Sequence, residues 1–285
     1  MAGILWLVGT PIGNLGDLTD RARETLAAAD VIAAEDTRRT GRLLASIGME
    51  HRPPLVSYFE GNERERAQEL VGRLREGAQV VLVTDGGMPG ISDPGYRVVH
   101  AAAAEGIDVR VVPGPSAVLS ALVLSGLPTD RFAFEGFLPK KSGERAKRLA
   151  ELRHDDRTLV FFESPRRVQM FLREALEALG DRRVAVAREL TKRHEEVQRG
   201  RVSEVLDRLG DTQLKGEVVV VVEGATGPST VDLDVCEAEA RALVAGGVRK
   251  RDAAHAVAER HGVSANDLYR RLVDRVTDHR ATEAR

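Results

Sequence analysis

The junction at residues 80–95, VVLVTDGGMPGISDPG, constrains this chain more than any other stretch. Its opening aliphatic run leaves no polar face for water, so it suits a strand covered on both sides, as in a parallel α/β sheet. The run leads directly into a loop with four glycines, two prolines and two aspartates. Glycine lets backbone approach where a Cβ would clash, and proline fixes its own φ, so the loop is expected to be tightly shaped. In open α/β sheets ligands collect beyond the carboxyl ends of strands, where this loop falls. The pattern predicts a ligand-sized hollow with a main-chain floor, although turn chemistry alone also favours glycine here.

Similar runs recur at 4–8, 31–34 and 109–112, with helical spacing over 20–29 and 63–75 between them. This βαβ alternation predicts a first α/β domain over 1–113. Pro113, Gly114 and Pro115 punctuate the chain before a small-residue helix at 116–124. A second α/β domain, 114–225, is expected from strands at 132–137, 158–162, 183–187, 196–202 and 217–223, with helices at 143–152 and 168–179. Residues 197–202 alternate apolar with polar, like a half-exposed antiparallel strand, so this sheet is expected to be mixed. Residues 224–229 read as a linker. The remainder, 230–285, reads as a small helical appendage with amphipathic helices at 250–259 and 264–276, separated by Gly262 and with Ser264 as a cap.

A length of 285 residues accommodates this organisation. The 42 basic and 44 acidic residues leave a net charge of −2, so a polyanion partner must be met by local basic patches. A single cysteine, Cys236, excludes an internal disulfide and a multi-cysteine zinc site; no metal is expected, and a reducing cytoplasm is the simplest home. Residues 4–8 lack the flanks of a signal peptide, and no run approaches the roughly 18 apolar residues of a membrane span.

Two further Gly/Pro loops follow strands. In LVGTPIGNLGD, 7–17, the glycine spacing is wrong for the dinucleotide fingerprint, and no GxxxxGK follows, so NAD and ATP lose their usual signatures. VVPGPSA, 111–117, places Ser116 and Ala117 at a helix start, where unpaired N–H groups and small side chains admit a ligand. AAEDTRRTGRLL, 33–44, puts Glu35 and Asp36 at a strand end, followed by Arg38, Arg39 and Arg42. That segment reads either as an ion-paired helix start or as an acid beside a phosphate grip.

These segments, followed by FFESPRRV at 161–168 and ARELTKRHEE at 187–196, resemble in order and spacing the bacterial small-subunit (16S) ribosomal RNA cytidine 2′-O-methyltransferases, within the tetrapyrrole methylase superfamily. The resemblance runs from about residue 4 to 224 and more loosely beyond. It implies two α/β domains with S-adenosylmethionine in the cleft between them, a homodimer, and methylation of a cytidine ribose in the decoding region, on naked 16S rRNA or the assembled subunit. Carried over by motif, Pro11 would line the cleft, and Gly87, Met88, Pro89, Gly90 and Ile91 would wrap the methionine and ribose portions. Ser116 and Ala117 would lie against the ligand, with Phe162 and Leu190 toward the adenine. Gly86-Gly87-Met88 stands where that family often has Ala-Gly-Thr, which removes a hydroxyl and leaves the backbone contacts.

Methyl transfer to a hydroxyl is an in-line displacement. Alignment contributes about 7–11 kcal/mol and a positioned base a further factor of about 10² to 10⁴ in rate. Glu35, Asp36 and Glu195 are the candidate bases. RNA phosphates need cations, and the candidates are Arg38, Arg39 and Arg42; Arg166, Arg167, Lys192 and Arg193; and Lys140, Lys141, Arg145, Lys147 and Arg148, a run that equally suits a solvated helix face. Arg249, Lys250 and Arg251 add a basic start to the appendage. The alternatives are a tetrapyrrole or diphthine methyltransferase of the same superfamily, which would lack the EDTRRT stretch and helical tail, and a non-catalytic RNA-binding assembly protein. The latter has no need of three close-approach loops.

Overall fold

The structure, a computed structural model, describes residues 2–49, 51–210, 214–225, 233–261 and 263–278, with 274–278 described by backbone alone. Strands β1 (Ile4–Val8), β2 (Val31–Ala34), β3 (Leu55–Ser57), β4 (Gln79–Val83) and β5 (Asp108–Val112) form an all-parallel sheet in the order β3-β2-β4-β1-β5. Helices α1 (Asp20–Ala27), α2 (Thr37–Ser46), α3 (Glu63–Arg75) and α4 (Tyr96–Ala104) make the crossovers. Leu5, Val31, Ala33, Val80 and Leu82 pack against α3 and α4, whereas Val8, Ile32, Ala34, Val81 and Val83 pack against α1 and α2. Both faces of β4 are therefore covered, which is why its sequence is aliphatic at successive positions. β3 was not foreseen: it is a half-buried edge strand of three residues, too short to leave a hydrophobic pattern.

Leaving β5 through Pro113, Gly114 and Pro115, α5 (Ala117–Ser125) packs on a second sheet. That sheet comprises β6 (Phe132–Phe137), β7 (Thr158–Glu163), β8 (Arg183–Arg188), β9 (Glu196–Arg201) and β10 (Val218–Val222), in the order β6-β7-β10-β8-β9. The β6–β7 pair is parallel and the other pairs antiparallel, so the sheet is mixed. Val118, Ala121 and Leu122 of α5 meet Val160, Ala185, Val219 and Val221 on one face. The other face carries Phe161, Val186 and Val220 against α6 (Ser142–Glu151), α7 (Val168–Leu179) and α8 (Val202–Leu209). Each valine so buried contributes about 1.5–3 kcal/mol. The strand expected to end at Val202 ends at Arg201, because the Glu204 carboxylate accepts the Arg201 N–H at 2.9 Å and starts α8.

Both sheets lie in one compact unit, Met1–Gly224, and Ala225–Arg285 form another. The second unit, taken by itself, has helices α9 (Leu233–Ala245), α10 (Lys250–His261) and α11 (Ala265–Asp278) around Cys236, Ala240, Val257, Leu268 and Leu272. The Ser264 hydroxyl accepts the Asp267 N–H at 3.3 Å, the expected cap. Gly262 and residues 226–229 of the expected linker lie outside the described residues. No helix of the described residues is long and apolar enough to cross a membrane.

Candidate active site

The loops after β1, β4 and β5 are stitched together beyond the carboxyl edge of the first sheet. Gly9 N–H donates to the Val112 carbonyl at 3.0 Å, and Thr10 and Gly87 exchange a pair of N–H···O bonds, each 3.0 Å. The Thr10 hydroxyl donates to the Thr84 carbonyl at 3.2 Å. This closeness requires glycine, since a Cβ on Gly9 would stand 2.7 Å from Gly114 Cα. Gly87 has φ +92°, a conformation other residues adopt only under strain.

A cavity of about 400 Å³ opens over this floor, within the size range of small-molecule sites. The first sheet's loops supply Glu35, Arg39, residues 85–88 and residues 91–93; the start of α5 supplies 116–118; the second sheet supplies Phe137, residues 162–165 and residues 216–219. Phe162 packs edge-on against Phe134 and tilted against Phe137, with ring centroids 4.9 and 5.6 Å apart. Five carboxylates, Glu35, Asp85, Asp93, Glu163 and Glu217, face the cavity with one guanidinium, Arg39, which holds Asp85 at 3.0 Å.

Burial in this partly dry space shifts the proton affinities of Glu35, Asp93 and Glu163. Burial raises the Glu35 pKa, opposed by a hydrogen bond from the Asp85 N–H at 3.2 Å. Burial, and next the Glu35 charge, push Asp93 up to about 6. Glu163, only 3% exposed, is also raised by burial. Its Oε1 accepts the Ser164 N–H at 2.7 Å, but Oε2 has no hydrogen bond among the described residues; the Arg167 guanidinium stands 3.4 Å away.

Of the residues singled out in the sequence, Glu35, Gly87, Met88, Ile91, Ser116, Ala117 and Phe162 line the cavity. Pro89 and Gly90 do not: Pro89 is buried and Gly90 is exposed. Pro11 belongs to an adjoining hollow. Leu190 is a core residue, 6% exposed beneath α5, because the chain turns sharply there with Glu189 and Thr191 at φ 52° and 65°. Asp36 caps α2, accepting the Arg38 and Arg39 N–H groups at 2.8 and 3.3 Å. With the Arg38 side chain also bonded to it, its pKa falls to about 2, which makes it a poor proton acceptor. Glu195 accepts the Thr191 N–H at 2.6 Å and closes that turn away from the cavity lining.

The cations sort by partner. Arg145, 3% exposed, is structural: it pairs with Glu174 and donates to the Pro139 and Lys140 carbonyls. Arg148 holds Glu135 and Glu151, Lys141 holds Glu144, and Lys192 lies between Glu189 and Glu217 at 2.9 and 3.1 Å. Lys250 donates to the Leu272 carbonyl and packs its own helical unit together. Arg38 pairs with Asp36, and Arg167 with Glu163. Arg42, Lys140, Lys147, Arg166 and Arg193 are exposed, and none has a carboxylate partner among the described residues.

Asp85, Asp93, Glu163 and Glu217 were not foreseen in the lining. The two aspartates stood in the loop already singled out, but spacing does not tell which acids of a loop turn inward. Among the described residues no cluster of His, Cys, Asp and Glu is arranged to hold a metal ion.

Comparison with known proteins gives a consistent set of relatives. The tetrapyrrole (corrin/porphyrin) methylases match over residues 4–206. The chain is 49% identical over 222 residues to ribosomal RNA small subunit methyltransferase I of Thermotoga maritima, covering 78% of this chain and 99% of that protein. It is 43% identical to the protein of the same name from Synechocystis sp., over 94% of this chain and 96% of that one. Among solved structures, uroporphyrin-III C-methyltransferase from Thermus thermophilus, complexed with S-adenyl homocysteine, has a TM-score of 0.53 and 24% identity, over 78% of this chain and 97% of that one.

Proposed function

The chain belongs to the tetrapyrrole (corrin/porphyrin) methylase family, and from that premise we propose that it moves a methyl group from S-adenosylmethionine to the 2′-hydroxyl of a cytidine in small-subunit ribosomal RNA. The observation that carries the donor is the sign of the cavity. Five carboxylates against one guanidinium, apolar aromatic walls and a glycine floor suit a cation with a flat apolar end. The residues present fit the group: the main chain of Gly86, Gly87 and Met88 would hold its methionine and ribose portions, and Ala117 and Phe162 its adenine. When bound, it supplies a methyl group on a positively charged sulfur, which leaves as a neutral thioether.

The protein's task is then alignment and one proton. Alignment rests on three loops locked to one another by main-chain bonds, which leaves little reorganisation for the reacting state. For the proton we assign Asp93. It lines the cavity, is ionised at neutral pH and, at about 6, is more basic than an ordinary carboxylate. Glu35 assists by keeping a second negative charge beside it. Exposed arginines Arg42, Arg166 and Arg193 would meet RNA phosphates. The same proposal includes a homodimer, for which the exposed apolar residues Val111, Leu119 and Val123 are candidates, and work in the cytoplasm, where the substrate is made.

The test is incubation of the protein with labelled S-adenosylmethionine and either naked 16S rRNA or small subunits lacking the modification, then mapping of the labelled atom. Label on a cytidine 2′-oxygen is expected. Tight cofactor binding without transfer to either RNA would reject the substrate, and absent cofactor binding in calorimetry would reject the site.

A further inference from the structure

Beside the donor cavity lies a hollow of about 300 Å³, and we propose that it seats the RNA nucleotide adjoining the methylated one, with its phosphodiester on Arg42 and Arg39. This rests on the reading above and adds where the acceptor strand runs. Helix α2 forms one wall with Arg39, Arg42, Leu43 and Ser46, a spacing that puts them on one face. Pro11, Gly13 and Leu15 of the loop after β1 form the other, and Thr84 and Asp85 at the end of β4 form the floor.

The two chambers have opposite electrical character. The hollow is lined by two guanidiniums and one carboxylate, and that carboxylate, Asp85, is already held by Arg39 at 3.0 Å. Arg42 thus contributes a net positive charge, exposed and without a carboxylate partner among the described residues. Polar groups also wait there. The Thr84 hydroxyl is buried and has no hydrogen-bond partner among the described residues. Thr40, 4% exposed, also lines the hollow. A cation and hydroxyls together with the apolar side chains of Pro11, Leu15 and Leu43 match a nucleotide, which is anionic at its phosphate and flat and apolar at its base.

Arg39 and Asp85 line both chambers, so their ion pair is the seam between an acidic space for the donor and a basic one for the acceptor. A phosphate entering the acidic space is repelled by its carboxylates; one entering the hollow is not. That difference holds the strand with a ribose at the seam.

The experiment compares wild type, Arg42→Ala and Ser46→Phe, the last an exposed end-of-helix position whose new ring fills the hollow without changing any charge. Three quantities are read: KM for unmodified small subunits, the salt dependence of subunit binding, and cofactor Kd by calorimetry, with melting temperatures to verify folding. Both variants are expected to raise KM about tenfold with little change in kcat or cofactor Kd. Arg42→Ala alone should flatten the log–log salt slope, by about 0.7 for a single-stranded contact. An unaltered KM in Ser46→Phe would put Arg42 to work at the rim and overturn the pocket. A cofactor Kd weakened by Arg42→Ala would assign the hollow to the donor's carboxylate and overturn it equally. If wild type methylates no ribosomal RNA, the substrate reading falls first; if it does and both variants match it, only the hollow falls.

Discussion

The two sheets have the same number of strands and contribute to one cavity in different currencies. In the first, every strand runs the same way, so the loops after β1, β2, β4 and β5 leave from a single edge and converge. What converges is largely main chain, joined by the Gly9–Val112 and Thr10–Gly87 bonds. In the second, β10 lies antiparallel to β7, so the end of one strand stands beside the start of the other. Phe162 and Glu163 therefore reach the cavity next to Val218 and Val219 as side chains on a rigid sheet. A parallel sheet gathers backbone, and a mixed sheet presents side chains. The first suits close holding of a ligand, and the second suits selection of its shape and charge.

The largest effect should come from forcing a side chain into the gathered backbone. Gly9→Val places a Cβ 2.7 Å from the Gly114 Cα and N, backbone atoms that cannot yield, and 2.8 Å from the Met88 sulfur. Cofactor binding should become undetectable by calorimetry, with a stability loss of about 1–3 kcal/mol or more from overpacking. Phe162→Ala, on the second sheet, should weaken cofactor binding about tenfold, because one aromatic wall is lost while the floor stays closed. If Phe162→Ala proved the more damaging for binding, the division between holding and selecting would be broken.

The same division explains what could be read in the sequence. Strands buried on both faces, such as β4, announce themselves because every position must be apolar; β3, with three half-buried edge residues, cannot. The glycine-and-proline floor was legible because its residue types have conformational uses that others lack. Side chains at strand ends were not, because one residue of rotation decides their fate. Glu35 and Asp36 are neighbours, yet the first lines the cavity and the second turns back to cap α2. Phe162 ends the expected strand 158–162 and Leu190 stands just past β8, yet Leu190 is sealed into the core under α5 and Phe162 lines the cavity. Asp93 was hidden for the same reason, since its role depends on how residues 91–93 fold over the floor.

Asp93 offers the next test, because it is a side chain carried by the backbone-providing sheet. Its carboxyl holds a proton more tightly in the folded protein, about 6 against an ordinary 3.8. Between those values the folded state binds more protons than the unfolded one, so stability declines as pH rises through this window and stays lowered above it. Asp93→Asn should therefore raise the melting temperature at pH 7.5 while lowering kcat by a factor of about 10² to 10⁴. Wild-type kcat should climb with pH to a plateau past about 6, and the variant should lack that step. A variant that kept both its turnover and the step would move the proton to Glu35.

The smallest effect should follow a change one residue from Glu35. Asp36→Asn keeps an N-cap acceptor for α2, since asparagine caps about as well as aspartate, and removes an exposed ion pair with Arg38. Turnover should stay within about twofold of wild type, because the carboxylate lost was a cap and not a cavity acid. The difference should appear only in acid. The folded-state pKa of Asp36 is depressed from 3.8 to about 2, so its contribution to stability is present above the ordinary value and is lost as pH falls toward 2. Acid-unfolding curves of wild type and variant should accordingly differ above pH 4 and converge below it. A fall in turnover as deep as that expected for Asp93→Asn would mean that charge at the start of α2 acts on the reacting atoms, and that the first sheet contributes more chemistry through side chains than its loop geometry suggests.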